Sequence, residues 1–462
     1  MAGILRYGSY VPYCRLQRAR FEGSGRGERA IANFDEDATS LAVEAGREAM
    51  RGNAPAPATL LFASTSHAYA EKLNAAGVHA ALDLPPEARL VDLSSSSGAG
   101  VAALGLASAI GTGQPSLVCC ADVVVGAPMG AREAMGGDAA CAFLVGEGEG
   151  AAAHILGSGS HAEELLDVWR GPEQQFARQW EERFAQQRLV PALASAFERG
   201  LAGSGLAPSD LKRVAVDSGH RRVGSLFARA VGLRPDQLAD DLSGSVGRSG
   251  AAHGGLLLAG LLDSAEPGDN LAVLSAADGA SALIVQATEH IGDHRPVHSV
   301  ADWIQSKRAD VAYETYLKWR EILPFEPPRR PDPPRPAAPP MRRSERWKYA
   351  FVGSRCRSCG TVNLPPQVVC VQCGAVDSMD DVPYADATAR VATYTVDHLA
   401  YSLQPPVVAA VIDYDQGGRF ACELADVDPK KVEIGQELEM TFRRLYTADG
   451  VRNYFWKARP RR

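Results

Sequence analysis

The sequence predicts an α/β protein that continues into a smaller all-β portion. Residues 1 to 290 alternate apolar, strand-like runs with helical runs rich in alanine and leucine, which is typical of α/β domains. Proline is concentrated between residues 323 and 346, where no helix or sheet is expected to continue. After residue 382, short β-rich runs separated by turn residues fit a small closed barrel. We therefore predict an α/β domain at 1–290, a helical tail and Pro/Arg-rich linker at 291–346, a cysteine-bearing segment at 347–381 and a barrel at 382–462.

Composition limits the classes of partner. The 462 residues are too many for one ordinary core, and 46% apolar and 22% charged residues are normal for a globular chain. The formal net charge of -7 gives no reason to expect a nucleic-acid partner. The N-terminal residues lack a cleavable signal layout, and no apolar run reaches membrane-spanning length. We expect a cytoplasmic protein that binds neither nucleic acid nor membrane.

The α/β region contains a possible internal duplication. In the first half, "LVDLSSSSGAGVAALGLASAI" leads to "PSLVCCADVVV" and then to "GGDAACAFLVG". In the second half, "VGRSGAAHGGLLLAGLLD" leads to "PGDNLAVLSAA" and then to "DGASALIVQA". Each series predicts a small-residue turn, a buried helix, a buried strand, a Gly/Asp corner and another buried strand. The similarity suggests two related halves packed together.

The linker is predicted to be an extended strap. Polyproline II geometry at about 3.1 Å per residue would let it reach roughly 70 Å. The six arginines of residues 323–346 either bind phosphates or acidic surfaces or are simply exposed to solvent.

Four cysteines form the most specific motif. The stretch "CRSCGTVNLPPQVVCVQCG" holds Cys356, Cys359, Cys370 and Cys373 as two C-x-x-C pairs, each followed by glycine. Two such pairs place four thiolates around a point, as tetrahedral zinc requires, and this spacing favours a metal over a redox role. Because all four ligands would come from the protein, we predict a structural zinc. Cys119, Cys120 and Cys141 fall in apolar strands and are interpreted as core thiols.

The stretch "LSSSSGAG", Leu93 to Gly100, lies between an apolar run and a helical run. Serine at such a junction either caps the helix or presents a nucleophile at its N-terminus. The residues of this window by themselves favour a cap, since no G-x-S-x-G pattern is present.

Longer stretches resemble known families. The ribbon, the barrel and its ending "RNYFWKARP" resemble the zinc-ribbon and OB-fold proteins that accompany acyl-CoA thiolases. The stretches "GILRYGSYVPYCRL", "GERAIANFDEDATSLAVEAGREAM", "FASTSHAYAEKLNAA" and "GRSGAAH" resemble the hydroxymethylglutaryl-CoA synthase and ketoacyl synthase III branch of the thiolase superfamily. The resemblance implies a duplicated, five-layer thiolase-like domain, a zinc ribbon and an OB barrel, fused in one chain. It is weaker around Leu156 to Leu189, which we interpret as an inserted or variable segment.

The resemblance also locates the family's catalytic positions. Its cysteine nucleophile falls on Ser96, its general acid/base glutamate near Thr65, its histidine near Asp217 and its asparagine on Arg248. A thiol at a helix N-terminus ionises readily, whereas an alkoxide is far harder to form without a dedicated base. The scaffold is therefore expected to be kept and the family's chemistry to be lost.

Two histidines offer another route to activity. His220 follows Asp217 by three residues, so a Ser96, His220 and Asp217 relay is conceivable, and His253 lies just inside the second buried helix. Spacing along the chain does not show whether these side chains converge.

Coenzyme A is the ligand that the resemblance implies. Arg221, Arg222 and Arg248 are candidate contacts for its phosphates or for the acyl group. The barrel offers a second candidate site in a mixture of aromatic and basic residues, Arg443, Arg444, Tyr454, Trp456 and Lys457. Such a mixture is also found where OB barrels bind single-stranded nucleic acid, or it is the core of the barrel.

These observations lead to one main functional hypothesis and two rivals. The main one is an acyl-CoA-handling scaffold or channelling subunit that forms a homodimer and joins a catalytic thiolase. The first rival is an active acyltransferase or condensing enzyme that uses Ser96 or a histidine. The second is an OB-type nucleic-acid binder. The sequence does not name the acyl group, the pathway or the partner.

Overall fold

The computed structural model describes residues 2–21, 25–110, 113–148, 150–326, 331 and 333–462. The chain divides into two compact units. The first comprises Met1–Ala32, Asp37–Ala76 and Pro85–Tyr313, and the second comprises Asn33–Glu36, Gly77–Leu84 and Glu314–Arg462.

The strands are numbered in chain order. They are β1 Gly3–Tyr10, β2 Cys14–Gln17, β3 Glu28–Ile31, β4 Thr59–Ser64, β5 Arg89–Ser94, β6 Ser116–Val123, β7 Asp138–Gly146, β8 Ala153–Ala162, β9 Val168–Trp169, β10 Arg178–Gln179, β11 Arg213–Ser218, β12 Asn270–Ala276, β13 Gly279–Ala287, β14 Val352–Cys356, β15 Val362–Asn363, β16 Met379–Pro383, β17 Ala389–Asp397, β18 Val407–Tyr414, β19 Arg419–Glu423, β20 Glu437–Ala448 and β21 Val451–Pro460.

The α-helices are numbered in the same way. They are α1 Ala38–Met50, α2 Ala75–Ala81, α3 Ala99–Ile110, α4 Ala131–Met135, α5 Glu182–Ser204, α6 Val223–Ala230, α7 His253–Asp263, α8 Val300–Gln305, α9 Tyr313–Trp319, α10 Ala338–Arg343 and α11 Glu345–Lys348. None of the helices in the described part of the chain has the length and apolar character that crossing a lipid bilayer requires.

The first unit is built on a mixed sheet of order β11-β12-β13-β8-β1-β7-β6-β4-β5. On one side β4 is parallel to β6, and β6 is antiparallel to β7. On the other side β11 is parallel to β12, and β12 is antiparallel to β13. The helices α3 and α7 each precede the corresponding strand pair. This repetition confirms the two related halves that the sequence predicted.

Small residues let the buried helices of the first unit approach each other and the sheet. A Cβ on Gly100 in α3 would lie 2.0 Å from the carbonyl oxygen of Ala251, and one on Gly255 in α7 would lie 2.3 Å from Cys141 Sγ. Cys119, Cys120 and Cys141 are fully buried in β6 and β7, as expected of core thiols.

The segment interpreted as inserted or variable begins in a strand of the nine-stranded sheet, so this part of it is not an insertion. β8 pairs with β13 over most of its length and with β1 at its start. A Cβ on Gly157 or Gly159 would lie 2.2 or 2.0 Å from backbone oxygens of α5. Glycine therefore marks a close helix approach at these positions, although it weakens the strand pattern in the sequence.

The second unit contains a three-stranded sheet, β15-β14-β16, and a five-stranded antiparallel sheet, β19-β18-β17-β20-β21. A parallel bridge between Leu424 and Ala458 joins the two ends of the larger sheet. The backbone amide of Ala425 also donates to the carbonyl oxygen of Ala458 at 2.8 Å. The sheet is thereby closed into the small barrel that the run lengths predicted.

The linker differs from its prediction in one respect. Residues 327–330 and 332 lie outside the described residues, but residues 338–343 form α10 within the segment predicted to be an extended strap. Pro339 and Pro340 occupy the first turn of this helix, where the missing amide hydrogens have no intrahelical acceptor. High proline content therefore does not exclude a helix start.

Candidate functional site

Ser96 lies in the turn between β5 and α3, at the N-terminal end of the helix. The backbone amide of Gly98 donates to Ser96 Oγ at 3.2 Å. The preceding residue, Ser95, has φ +82°, in the left-handed region that non-glycine residues rarely adopt. The turn thus holds a partly exposed hydroxyl against the positive end of a helix of 12 residues.

Asp278 is the hydrogen-bond partner of this hydroxyl. Ser96 Oγ donates to Asp278 Oδ2 at 2.7 Å, although the two residues are 182 positions apart. Asp278 is exposed, has φ +53° and occupies the corner between β12 and β13. No sequence pattern marked this residue as functional. The only signal for it was the predicted "DG" corner.

Asp217 and His253 form a second, buried group. Asp217 is 6% exposed at the end of β11 and accepts a hydrogen bond from Ser275 Oγ at 2.9 Å. Burial raises the pKa of Asp217, and the charge of His253 opposes that rise. His253 begins α7, and burial lowers its pKa against the opposing effect of Asp217. Both shifts favour the neutral forms, so this group resembles a packed polar core.

The relay of Ser96, His220 and Asp217 is not formed. Its histidine instead contacts Asp167, with 2.5 Å between His220 Nε2 and Asp167 Oδ1, and both residues are buried. Gln179 Nε2 lies 3.5 Å from the same ring. Asp167 and Gln179 belong to the segment interpreted as variable, so sequence spacing did not identify them as partners of His220. The described contacts bring together Ser96 with Asp278 and His220 with Asp167.

Thr65, at the predicted acid/base position, donates hydrogen bonds to the buried carboxylate of Asp122. Thr65 Oγ1 and its backbone amide donate to Asp122 at 3.0 and 2.7 Å. The backbone amide of Ala251 donates to the same carboxylate at 2.6 Å. Burial raises the pKa of Asp122, and these hydrogen bonds oppose the rise. The network fastens the end of β4 to the turn that precedes α7.

Three arginines of the first unit, Arg18, Arg221 and Arg248, lie close together. Arg248 is largely buried and approaches Asp241, with 3.5 Å between Nη2 and Oδ2, whereas Arg221 and Arg222 are exposed. Burial lowers the pKa of Arg248, and repulsion from Arg221 adds to that effect. Arg18, which no sequence pattern marked, is 3% exposed and has its pKa lowered by burial and by Arg221. Arg18, Arg221 and Arg248 are therefore close enough to affect one another's pKa, and Asp241 offsets part of their charge.

The four predicted zinc ligands converge in the second unit. Their sulfur atoms all lie within 4.8 Å of one another. Cys356 and Cys373 are separated by 3.7 Å between sulfurs, and Cys359 and Cys370 by 3.6 Å. Zinc with Zn–S bonds of about 2.3 Å needs tetrahedral sulfur separations of about 3.8 Å, so the four thiols fit this ion. The glycines after each pair have φ +75° and +72°, as the tight turns require.

The aromatic and basic residues of the barrel are mostly buried, which favours a structural role over a second ligand site among the alternatives for them. Tyr454 and Trp456 are buried, and the indole of Trp456 donates to the carbonyl oxygen of Tyr349 at 2.9 Å. Arg443 is fully buried, and Lys457 is 6% exposed. Arg444, the remaining member, is partly exposed and donates from Nη2 to the carbonyl oxygen of Phe34 at 2.7 Å. These side chains form a core and its polar anchors, so they do not offer an exposed stacking platform for bases.

The buried cations of the barrel are held by carboxylates of the second unit. Arg443 pairs with Asp35 at 3.2 Å, Glu36 at 2.9 Å and Asp426 at 2.5 Å. Lys457 pairs with Asp35 and Glu423 at 2.9 and 2.8 Å. Arg443 and Lys457 lie on the strand face opposite the ring cluster of Phe442, Tyr454 and Trp456. Neutralisation by these carboxylates is what permits the two cations to be buried there.

Comparison with known sequences separates the chain into two parts. Residues 348–377 match the model of the ChsH2 rubredoxin-like zinc ribbon domain, and residues 381–443 match that of the ChsH2 C-terminal OB-fold domain. A DUF35 domain-containing scaffold protein of Methanocaldococcus jannaschii is 33% identical over 118 residues, which is 24% of this chain and 83% of that protein. A hydroxymethylglutaryl-CoA synthase of Pyrococcus furiosus is 27% identical over 342 residues, which is 69% of this chain and 95% of that enzyme.

Solved structures show the same α/β fold. An HMG-CoA synthase complexed with CoA superposes with a TM-score of 0.59 at 16% identity, covering 69% of this chain and 89% of that one. The 3-oxoacyl-[acyl-carrier-protein] synthase III of Aquifex aeolicus superposes with a TM-score of 0.55 at 19% identity, covering 62% of this chain and all of that one. The predicted thiolase-like fold, zinc ribbon and OB barrel are thereby confirmed.

Proposed function

Because the chain belongs to the DUF35 domain-containing proteins through its C-terminal part, and because its N-terminal part is homologous to hydroxymethylglutaryl-CoA synthases, we propose that it is an acyl-CoA-handling component of a thiolase assembly. In this proposal the synthase-like unit is a platform with a CoA pocket, and the ribbon and barrel act as scaffold or channelling elements. We also propose that the protein is cytoplasmic.

The observation that carries the scaffold role is the chemistry at the family's catalytic positions. The resemblance assigns the position of the sulfur nucleophile to Ser96, whose hydroxyl donates to the Asp278 carboxylate. The helper positions hold Thr65, which bonds to the structural Asp122, and Asp217, which bonds to Ser275. Carbon–carbon bond formation between acyl thioesters needs an acid/base group beside the acylated residue. The side chains at the two helper positions, Thr65 and Asp217, are occupied in structural contacts instead.

Coenzyme A is the ligand proposed for the synthase-like unit. The cluster of Arg18, Arg221 and Arg248 supports it, together with the exposed Arg222, because phosphate groups favour concentrated guanidinium charge. Isothermal titration with CoA and with dephospho-CoA tests the assignment. Substitution of Arg221 and Arg222 by glutamine should weaken CoA binding at least tenfold and dephospho-CoA binding less. Equal affinity of wild type and variant would refute it.

Zinc is proposed as the structural ion of the four cysteines. When bound, it would hold the loops around β14 and β15 together, since all four ligands come from the chain.

A homodimer is proposed through the outer edge of the sheet in the first unit. β5 ends the strand order, so among the described strands it pairs with β4 alone. Val91 on β5 and Leu106 on α3 are 39% and 45% exposed. An open edge beside exposed apolar side chains favours pairing with a second copy. Sedimentation equilibrium should give a dimer for the wild type and a monomer for Val91→Lys, and a monomeric wild type would contradict the proposal.

The assembly itself is tested by affinity capture. Tagged full-length chain, expressed in its native host at native level, should recover a thiolase-like subunit in stoichiometric amount, identified by mass spectrometry. Cys370→Ser, which removes one zinc ligand, is expected to lose the subunit, whereas Cys422→Ser is expected to keep it. Capture of the dimer without any thiolase-like subunit would refute the scaffold role.

An active acyltransferase or condensing enzyme is the second candidate. The hydrogen bond of Gly98 to Ser96 Oγ favours it, because an amide in that place stabilises the negative charge that develops on the attacking serine oxygen. Incubation with two labelled acyl-CoAs should then yield a product with a new carbon–carbon bond, and Ser96→Ala should abolish it. A nucleic-acid role ranks last, and salt-dependent oligonucleotide binding would be needed to restore it.

A further inference from the structure

Ser96 and Asp278 form a hydroxyl–carboxylate pair that the scaffold role does not use. We propose that this pair hydrolyses acyl thioesters, with Ser96 as nucleophile and Asp278 as general base. The inference goes beyond the proposed function, because it assigns the synthase-like unit a reaction of its own. It requires acyl thioester binding but no thiolase partner.

The distance between the two groups meets the requirement for proton transfer. The 2.7 Å from Ser96 Oγ to Asp278 Oδ2 lies within the general-base range of about 2.6–3.2 Å. A carboxylate in this place supplies the base that a serine nucleophile needs and a cysteine does not. Within the described residues, this is the one hydrogen bond that the Asp278 side chain makes. Asp278 is therefore not a cap of the helix.

The start of α3 places one backbone amide beside the proposed nucleophile. The Gly98 amide donates to Ser96 Oγ at 3.2 Å, and α3 extends for 12 residues behind it. An amide in this place stabilises the negative charge that develops on the serine oxygen as its proton leaves. The hydroxyl, its base and one helix amide therefore meet at one point.

Both groups lie in tight turns that approach each other. Ser95, which precedes Ser96, and Asp278 have φ +82° and +53°. The two turns also touch, since a Cβ on Gly98 would lie 3.3 Å from the carbonyl oxygen of Ala277. The fold thus holds the two turns together.

The reaction balances without a redox partner. Ser96 Oγ attacks the thioester carbonyl carbon while its proton passes to Asp278. The carbon–sulfur bond breaks, and the thiolate takes that proton to leave as free CoA. Water then attacks the acyl–serine ester, gives a proton to Asp278, and the departing Ser96 oxygen recovers it. The sum is acyl-CoA plus water giving a carboxylic acid and CoA.

Exposure favours water as the acceptor. Ser96 is partly exposed and Asp278 is exposed, so water reaches the acylated serine. Condensation would require exclusion of water and a second base that generates the carbon nucleophile. Hydrolysis is therefore the reaction that this pair supports.

The test measures CoA release by the full-length protein. Acetyl-CoA and butyryl-CoA serve as probes, free thiol is detected with a chromogenic disulfide, and intact mass reports the acyl–protein adduct. Ser96→Ala should abolish both signals. Asp278→Asn, which keeps the shape of the side chain, should lower the rate about 10²–10⁴-fold, as expected for loss of a general base. Ser108→Ala, on the same helix and bonded only to the Gly105 carbonyl oxygen at 2.7 Å, is the matched control and should keep the wild-type rate.

A second pair of variants separates catalysis from structure. In Ser96→Cys the nucleophile ionises without help, so adding Asp278→Asn should cost less than tenfold. An equal loss in both backgrounds would mean that Asp278 is structural and would overturn the assignment. Wild-type protein that releases no CoA above the blank, or Ser96→Ala that keeps the wild-type rate, would overturn it as well. Ser96→Ala should still capture a thiolase-like subunit, so failure of this activity is distinguishable from failure of the scaffold role.

Discussion

Glu48 is expected to make the stability of the first unit depend on acidity. It lies in α1 and is 9% exposed. Burial alone would raise its pKa, but hydrogen bonding to His298 and the nearby Arg51 guanidinium hold the pKa at about 2, below the ordinary 4.5. Glu48 Oε1 is 2.5 Å from Arg51 Nη2, and Oε2 accepts from the Val297 amide at 3.0 Å.

The direction and the size of the pH effect on stability follow from the difference in the pKa of Glu48 between the folded and unfolded states. A depressed carboxyl pKa stabilises the fold above the unfolded value and loses that effect as the pH falls toward the folded value. The shift from 4.5 to about 2 corresponds to about 3 kcal/mol at most, at about 1.4 kcal/mol per pKa unit. Between pH 7 and pH 3, about 2 kcal/mol of this should be lost.

The assay is urea unfolding of the wild type and of Glu48→Gln at intervals from pH 7 to pH 3. The variant should be less stable at pH 7, and the difference should shrink by about 2 kcal/mol at pH 3. Glu87→Gln, at an exposed position, is the control and should follow the wild type. If the Glu48→Gln and wild-type curves stay parallel over this range, the depressed pKa is wrong.

Three further outcomes are expected. Gly100→Ala should destabilise the protein by about 1–3 kcal/mol, since its Cβ would lie 2.0 Å from a carbonyl oxygen. Gly105→Ala on the same helix, where the nearest atom is 3.9 Å away, should stabilise the protein by about 0.4–1 kcal/mol. Both are measured by denaturant unfolding, and equal effects would contradict the packing of α3. Elemental analysis should find one zinc per chain in Cys422→Ser and none in Cys370→Ser, and zinc retained in the latter would exclude the four-thiolate site. Lys457→Met leaves the buried Asp35 carboxylate without one of its two cations and should lower the stability of the second unit by about 3–5 kcal/mol, so an unchanged thermal transition would refute the importance of that ion pair.

Local patterns carried most of the fold prediction. The two C-x-x-C pairs bring four sulfurs within 4.8 Å because each pair and its glycine turn is a local structure. The repeated helix–strand–corner–strand pattern predicted both halves of the sheet, since burial leaves continuous apolar runs in β6 and β12. Pattern reasoning failed for β8. Two of its positions are glycine because the backbone of α5, distant in sequence, leaves no room for a Cβ there.

The partners of polar side chains were decided by tertiary packing. The sequence by itself indicated a hydroxyl, Ser96, at the start of a helix, in the position that the resemblance assigns to the family's cysteine. Only the structure brought Asp278 to it across 182 residues and gave His220 to Asp167 instead. It also buried Arg443 and Lys457 against the Asp35 carboxylate. The physical reason is that a hydrogen bond or ion pair depends on where two loops meet in space, and neither periodicity nor spacing along one chain records that meeting.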